Sequence, residues 1–202
     1  MISGPVMGTL QGSRTVNRMS VELSQKVEGA RIYAMANNTY VRLALGQVDA
    51  AASGRGLPAT VVLAMGAADS TLSANTGADM ANSSKWIPLG KSLTMDNVCV
   101  YDALLNATNP STTDDATPSD TDIASFSKAI PGMGTVTFSS FVQFNPAGEA
   151  CVVQGQTARY IKIACDQPVQ PNNLATARNK NPFIVRISGV NGRVDILRKE
   201  NM

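Results

Sequence analysis

The chain contains no histidine. Histidine is the side chain that ordinarily exchanges protons near neutral pH, and it is the commonest zinc ligand. Its absence rules out a Ser-His-Asp triad and a Cys-His dyad. Cysteine is scarce too, with only Cys99, Cys151 and Cys165. An odd count allows at most one internal disulfide, and no CxxC spacing marks a metal site. Charged residues make up 16% of the 202 and the net charge is +2. With no dense Lys/Arg cluster to hold phosphates, no nucleic-acid partner is expected. No apolar run approaches the roughly 18 residues that span a bilayer. The first ten residues have no charged leader or cleavage signature. The sequence as it stands therefore predicts a soluble chain.

What is present is a globular composition, 44% hydrophobic, long enough for one good core or two small ones. Ser, Thr, Asn and Gln fill the charge deficit, a neutral polar surface frequent in exported proteins. Near the start, Val16, Met19, Leu23, Val27, Ala30 and Ala34 recur at steps of three or four. That spacing draws one apolar stripe down a helix. Arg14, Asn17, Arg18, Glu22, Gln25, Lys26 and Arg31 occupy the other faces. The predicted helix runs from an N-cap at Ser13 to a stop at Asn37-Asn38 and is about 37 Å long. Residues 1–12, with Gly4, Pro5, Gly8 and Gly12, read as a flexible lead-in. Gly29 is an interior weakness that either admits close approach of a sheet or is simply tolerated.

Beyond Thr39 the period shifts toward two. Val41, Leu43 and Leu45 alternate with Arg42 and Ala44, as in a half-buried strand. Further strands are predicted at 59–65, 98–101, 135–145, 150–154, 159–165, 183–188 and 193–198. The last two are joined through Asn191-Gly192, a tight-turn signal. Residues 66–85, 106–122 and 166–181 read as loops. With no repeat and no convincing boundary, 13–202 is expected to be a single unit.

Four segments in this order resemble the minor pseudopilin H/FimT-like branch of the type IV pilin superfamily. They are the helix end from Glu28-Gly29-Ala30-Arg31 to Val41, the stretch Lys85-Trp86-Ile87-Pro88-Leu89, the turn Phe144-Asn145-Pro146-Ala147-Gly148, and the closing Asn191-Gly192-Arg193-Val194. The resemblance implies an α+β, pilin-like head: one long N-terminal helix packed on an antiparallel β-sheet. It also implies a processed leader and an apolar membrane helix upstream of Met1, which would anchor the head on the periplasmic side of the inner membrane or carry it to the cell surface. The implied function is that of a non-enzymatic structural subunit of a type IV pilus or type II secretion-type filament. Its partners would be other pilin-like subunits and the assembly machinery, reached in part through the polar helix face. The alternative is a surface binding module that takes a glycan or host ligand through its Ser/Thr/Asn-rich loops.

No catalytic constellation and no cofactor motif is found. Cys151 and Cys165 face each other across a predicted hairpin in a register that also pairs Val153 with Ile163, so either a disulfide or two buried free thiols fits. Asp114, Asp115, Asp120 and Asp122 form an oxygen-rich loop of a kind calcium uses, as in some major pseudopilins, although their spacing fits no EF-hand; a solvated acidic loop is the other reading. Trp86, the only tryptophan, is either an exposed sugar platform or a core anchor. Gly54-Arg55-Gly56 is too short for a phosphate loop and lacks its lysine.

Overall fold

The computed structural model describes residues 4–68, 85–101, 115–118, 125–152 and 158–198, with side chains from Thr15 onward. Among the described residues, one helix, α1 (Gly4–Ala36), leads into fourteen strands. In chain order these are β1 (Val41–Val48), β2 (Ala59–Ala67), β3 (Trp86–Pro88), β4 (Leu93–Asp96), β5 (Cys99–Val100), β6 (Asp115–Ala116) and β7 (Phe126–Ile130). Then follow β8 (Gly134–Phe144), β9 (Ala150–Cys151), β10 (Tyr160–Asp166), β11 (Pro168–Gln170), β12 (Asn173–Ala177), β13 (Phe183–Ser188) and β14 (Val194–Arg198). The first sheet runs β3-β2-β1-β8-β7, with β4 also on β2 and β9 on β8. The second runs β14-β13-β10-β5, with β6 parallel to β10. A β11–β12 hairpin stands apart.

This overturns the expected α+β, pilin-like architecture of one long helix on one antiparallel sheet. The chain is mostly antiparallel β-sheet: of the residues whose side chains are described, half lie in strands and 15% in the helix. The local period identified the apolar stripe of the helix but not how much sheet would surround it. Strands β3, β4, β7, β11 and β12 lie in stretches with weak alternation; β3 and β4 become strands by pairing with the distant β2, and β7–β8 and β11–β12 by closing local hairpins.

The stripe itself is buried, every member being 3% exposed or less. It joins inward residues of both sheets in one core: Val41, Leu43, Val62, Val142 and Phe144 from the first, Ile161, Ile163, Val185 and Ile187 from the second. The helix begins at Gly4, ahead of the Ser13 cap, so the expected lead-in is helical from its fourth residue. Pro5 suits the first turn, where its missing N–H costs nothing. The far end stops as the Asn pair predicts. Asn38 takes φ 50°, the Thr39 N–H donates to the Ala34 carbonyl, and that of Asn38 donates to Met35. These two bonds are a Schellman cap. No helix among the described residues is long and apolar enough to cross a membrane.

The first sheet is covered on both faces. Its second face holds Ala44, Val61, Leu63, Met65, Trp86, Phe126, Val136, Phe138 and Phe141. Strand β8 serves both cores because the β1–β8 register shifts between Leu45 and Gly46, which oppose Ser140 and Phe138. The bulge moves Phe138 and Val136 to the face opposite Val142 and Phe144. A side chain on Gly46 would collide there, its Cβ 2.6 Å from the Thr137 carbonyl oxygen. Arg42 was expected at a solvent-facing position. It is 1% exposed, its guanidinium 4.4 Å from the Trp86 ring centroid and its Nε donating to Gln143 Oε1 at 2.7 Å.

Gly189, at the β13–β14 turn, ties the two sheets together. Its carbonyl accepts from the Ala150 N–H at 2.9 Å, and its own N–H donates to the Arg159 carbonyl. A Cβ there would lie 1.8 Å from the Ala158 oxygen. Gly189→Ala is therefore expected to destabilise the fold by about 2 kcal/mol or more, as overpacking against rigid backbone does. Urea unfolding of the two proteins measures it; an unchanged midpoint would contradict the close approach.

Candidate functional site

Of the predicted calcium ligands, Asp114, Asp120 and Asp122 lie outside the described residues. Asp115 stands on β6, and its partly buried carboxylate accepts from the buried Lys162 ammonium. No group of three metal-ligating side chains occurs among the described residues. Cys151 and Cys165 stand on different sheets, and no disulfide joins them. Cys151 sits opposite Gln143 on β8, while Cys165 sits opposite Phe183 and Val100. The hairpin register expected between 151 and 165 does not form, because β9 pairs with β8 in the first sheet and β10 with β13 and β5 in the second. Trp86 is a core anchor, 2% exposed. Arg55 lies between two left-handed glycines and pairs with Asp96 at 2.9 Å. Much of the loops 66–85 and 106–122 lies outside the described residues.

A small third core covers the outer side of the second sheet, formed by Cys99, Tyr101, Ala164 and Ile184 beside Leu174 and Ala177 of the β11–β12 hairpin. Burial pushes the Cys99 thiol up to about 12, against a smaller opposing effect of its hydrogen bond with Tyr101. Burial also raises Cys165 and, with help from neighbouring Cys99 and Asp166, the Tyr101 phenol. Thiols held protonated in this way are poor nucleophiles. Asp166 is buried at the edge of this core and accepts the Asn179 N–H. Burial raises its carboxyl above the ordinary value; N–H groups of Gln167, Asn179 and Lys180, and the charge of Arg178, oppose the shift.

The open concave feature lies on the other side of the molecule, along α1. Gln25, Lys26, Gly29, Ala30 and Tyr33 form one wall. Ile87 and Pro88 of β3, with Leu89 and Gly90 just after it, form the other, and Ala64 of β2 is the floor. The groove has a volume of about 520 Å³, inside the range of small-molecule sites. Lys26 bridges the walls, its ammonium donating to the carbonyls of Lys91 at 2.8 Å and Leu89 at 3.3 Å. Among the described residues no carboxylate pairs with it, and burial lowers its pKa. Tyr33 and Ile87 stand exposed at the rim. Gly29 neither receives the sheet nor packs against anything: a Cβ built on it meets nothing within 4 Å. Its cost to the helix, about 1 kcal/mol against alanine, has no packing return.

Sequence reasoning placed Lys26 on a polar face and Gly29 as a weakness, but did not join them to the Trp86-Ile87-Pro88-Leu89 stretch. The mid-helix glycine was the one available signal. The outward face of α1 was equally hidden. Val21, Ile32 and Met35 are exposed there at 44%, 59% and 46%. Val21 to Ile32 is about three turns and Ile32 to Met35 about one more, so they share a line opposite the buried stripe. Arg18–Glu22 at 2.9 Å lies beside this line, and Glu28, paired with Arg31 at 3.4 Å, sits within it between Val21 and Ile32. At the C-terminal end Arg31 and Met35 lie over Gly192 and Gly148 of the β13–β14 and β8–β9 turns.

The molecule is thus a two-sheet antiparallel β-protein whose helix carries an outer apolar line and one wall of a groove. No protein-family model matches the chain, and no curated protein or solved structure does either. None of these comparisons identifies a type IV pilin relationship.

The buried Asp166 gives a pH test of this geometry. The unfolded carboxyl titrates near about 3.9, and the folded one titrates higher. The folded state therefore holds the proton more tightly, and this contribution to stability falls as pH rises through that window. Asp166→Asn keeps an acceptor for Asn179 but does not titrate. Its stability relative to the parent is expected to rise between about pH 4 and neutrality. Urea midpoints across that range measure the difference, and parallel profiles would contradict the desolvated carboxyl.

Proposed function

We propose that this protein is a non-enzymatic structural subunit that joins like subunits through its helix, in a filament of the type IV pilus or type II secretion kind. The observation that carries this is the line of Val21, Ile32 and Met35 on the solvent face of α1. One helix face already fills the core, so Val21 and Ile32 on the opposite face are surplus to folding, and Met35 is half exposed beside them where it covers Gly148. A line of them along a surface helix suits packing against another subunit. The ion pairs at and beside these residues carry both signs, which lets a second copy approach without net repulsion. The resemblance of the helix end and of the two closing turns to minor pseudopilins supports the same function. In this proposal the head works in the periplasm or on the cell surface, held by an apolar anchor upstream of Met1, and no chemical step is involved.

The test is site-specific photo-crosslinking from position 32 of the full-length protein in its own cells. The expected result is an adduct to another copy or to another subunit of the same filament. Met35→Glu places a charge in the contact and is expected to lower adduct yield on the order of tenfold, the equivalent of about 1.4 kcal/mol. Crosslinking confined to the monomer would overturn the proposal.

A further inference from the structure

The groove between α1 and the β3–β4 connection makes a demand that the assembly role does not explain, and it uses different residues from the outward line. Its walls are apolar at Ala30, Ala64, Ile87, Pro88 and Leu89. Its one charge among the described residues is the half-buried ammonium of Lys26, which has three donors and gives two of them to the carbonyls of Leu89 and Lys91. This cation is partly out of water, and among the described residues it is met by two carbonyl dipoles and by no carboxylate. An apolar slot beside such a cation complements a ligand with an apolar body and an anionic end. Lys26 to Tyr33 spans about 10.5 Å along the helix, which sets the length of that body.

Gly29 stands between these two residues. Any side chain there would project into open space rather than into the fold, since nothing lies within 4 Å of its Cβ position. Glycine at this point keeps the helix wall low over the middle of the slot. Leu89 and Tyr33 close over Gly66 of β2, each approaching its Cβ position to within 3.4 Å, so a second glycine sets the depth near the floor.

We propose that this groove is a binding site for a small aliphatic carboxylate, with the acid group on Lys26, the chain along Ala30 and Leu89 toward Tyr33, and Gly29 as the residue that sets access.

The experiment titrates the protein with decanoate, and with decanol as the uncharged control, by calorimetry and by amide chemical-shift mapping. Saturable decanoate binding is expected below its micellar concentration, with shifts at Gln25 to Tyr33 and Ile87 to Gly90. Gly29→Leu is expected to weaken it at least tenfold without lowering the thermal midpoint, because leucine favours the helix and clashes with nothing. Gly29→Ala is expected to give a smaller loss and guards against a folding defect in the larger variant. Lys26→Gln is expected to weaken decanoate about tenfold and leave decanol unchanged. The proposal fails if decanoate gives no saturable shift in these segments, or if Gly29→Leu binds as tightly as the parent. It also fails if decanol binds as tightly as decanoate with both indifferent to Lys26→Gln. None of these outcomes bears on crosslinking from position 32, so the two proposals stand or fall separately.

Discussion

Leu23 and Val27 have no exposed surface, a state they reach because two sheets close on the helix together. The first sheet brings Val41, Leu43, Val62 and Phe144 against the stripe, and the second brings Ile161, Ile163, Val185 and Ile187. This shared core is the constraint on which the other features depend. A helix of this length gains little from propensity alone, and burial of one face supplies most of its stability. Once that face is committed, the groove wall and the outward line become surfaces of a rigid element. Arg198 reinforces the seam, its guanidinium donating to Asn17 Oδ1 and to Ser20 Oγ on the helix.

The first sheet has a second obligation, because its far face also carries a core. Under a strict period of two, Val136, Phe138, Val142 and Phe144 would all point to the same face. The bulge opposite Leu45 and Gly46 resolves this by turning Phe138 away from the helix while Phe144 faces it. Glycine at 46 is what lets the two strands come so close. The arrangement draws Arg42 inside, where the Trp86 ring and the Gln143 amide take the place of water. The same placement of Trp86 starts the short β3 strand and so carries Ile87, Pro88 and Leu89 up to the helix. The groove is thus a consequence of how the second core is closed.

Several features were legible residue by residue. The apolar stripe, the Asn37-Asn38 stop and the turns at Gly148 and Gly192 all rest on interactions within a few positions of one another. The β13–β14 hairpin formed as its Asn-Gly signal implied. The cysteines show where such reasoning ended. Cys151 and Cys165 were aligned by assuming that neighbouring strands pair, yet β9 took β8 as its partner and β10 took β13. Local alternation contains no information about which of two distant edges a strand will join.

The sequence by itself determined the buried helix face, its C-terminal cap, the principal strands and the want of histidine chemistry, because each follows from short-range geometry or from composition. The tertiary structure decided that the architecture is mostly β, with one helix shared by two sheets. It also decided that Arg42 lies inside, that Asp115 answers Lys162 and that Gly29 faces open space beside Lys26. These depend on contacts between residues far apart in the chain, such as Lys26 with Leu89 and Lys91, and period and propensity do not encode such meetings. The surfaces on which function is proposed belong to this second group. They are made by what the folded core leaves uncovered.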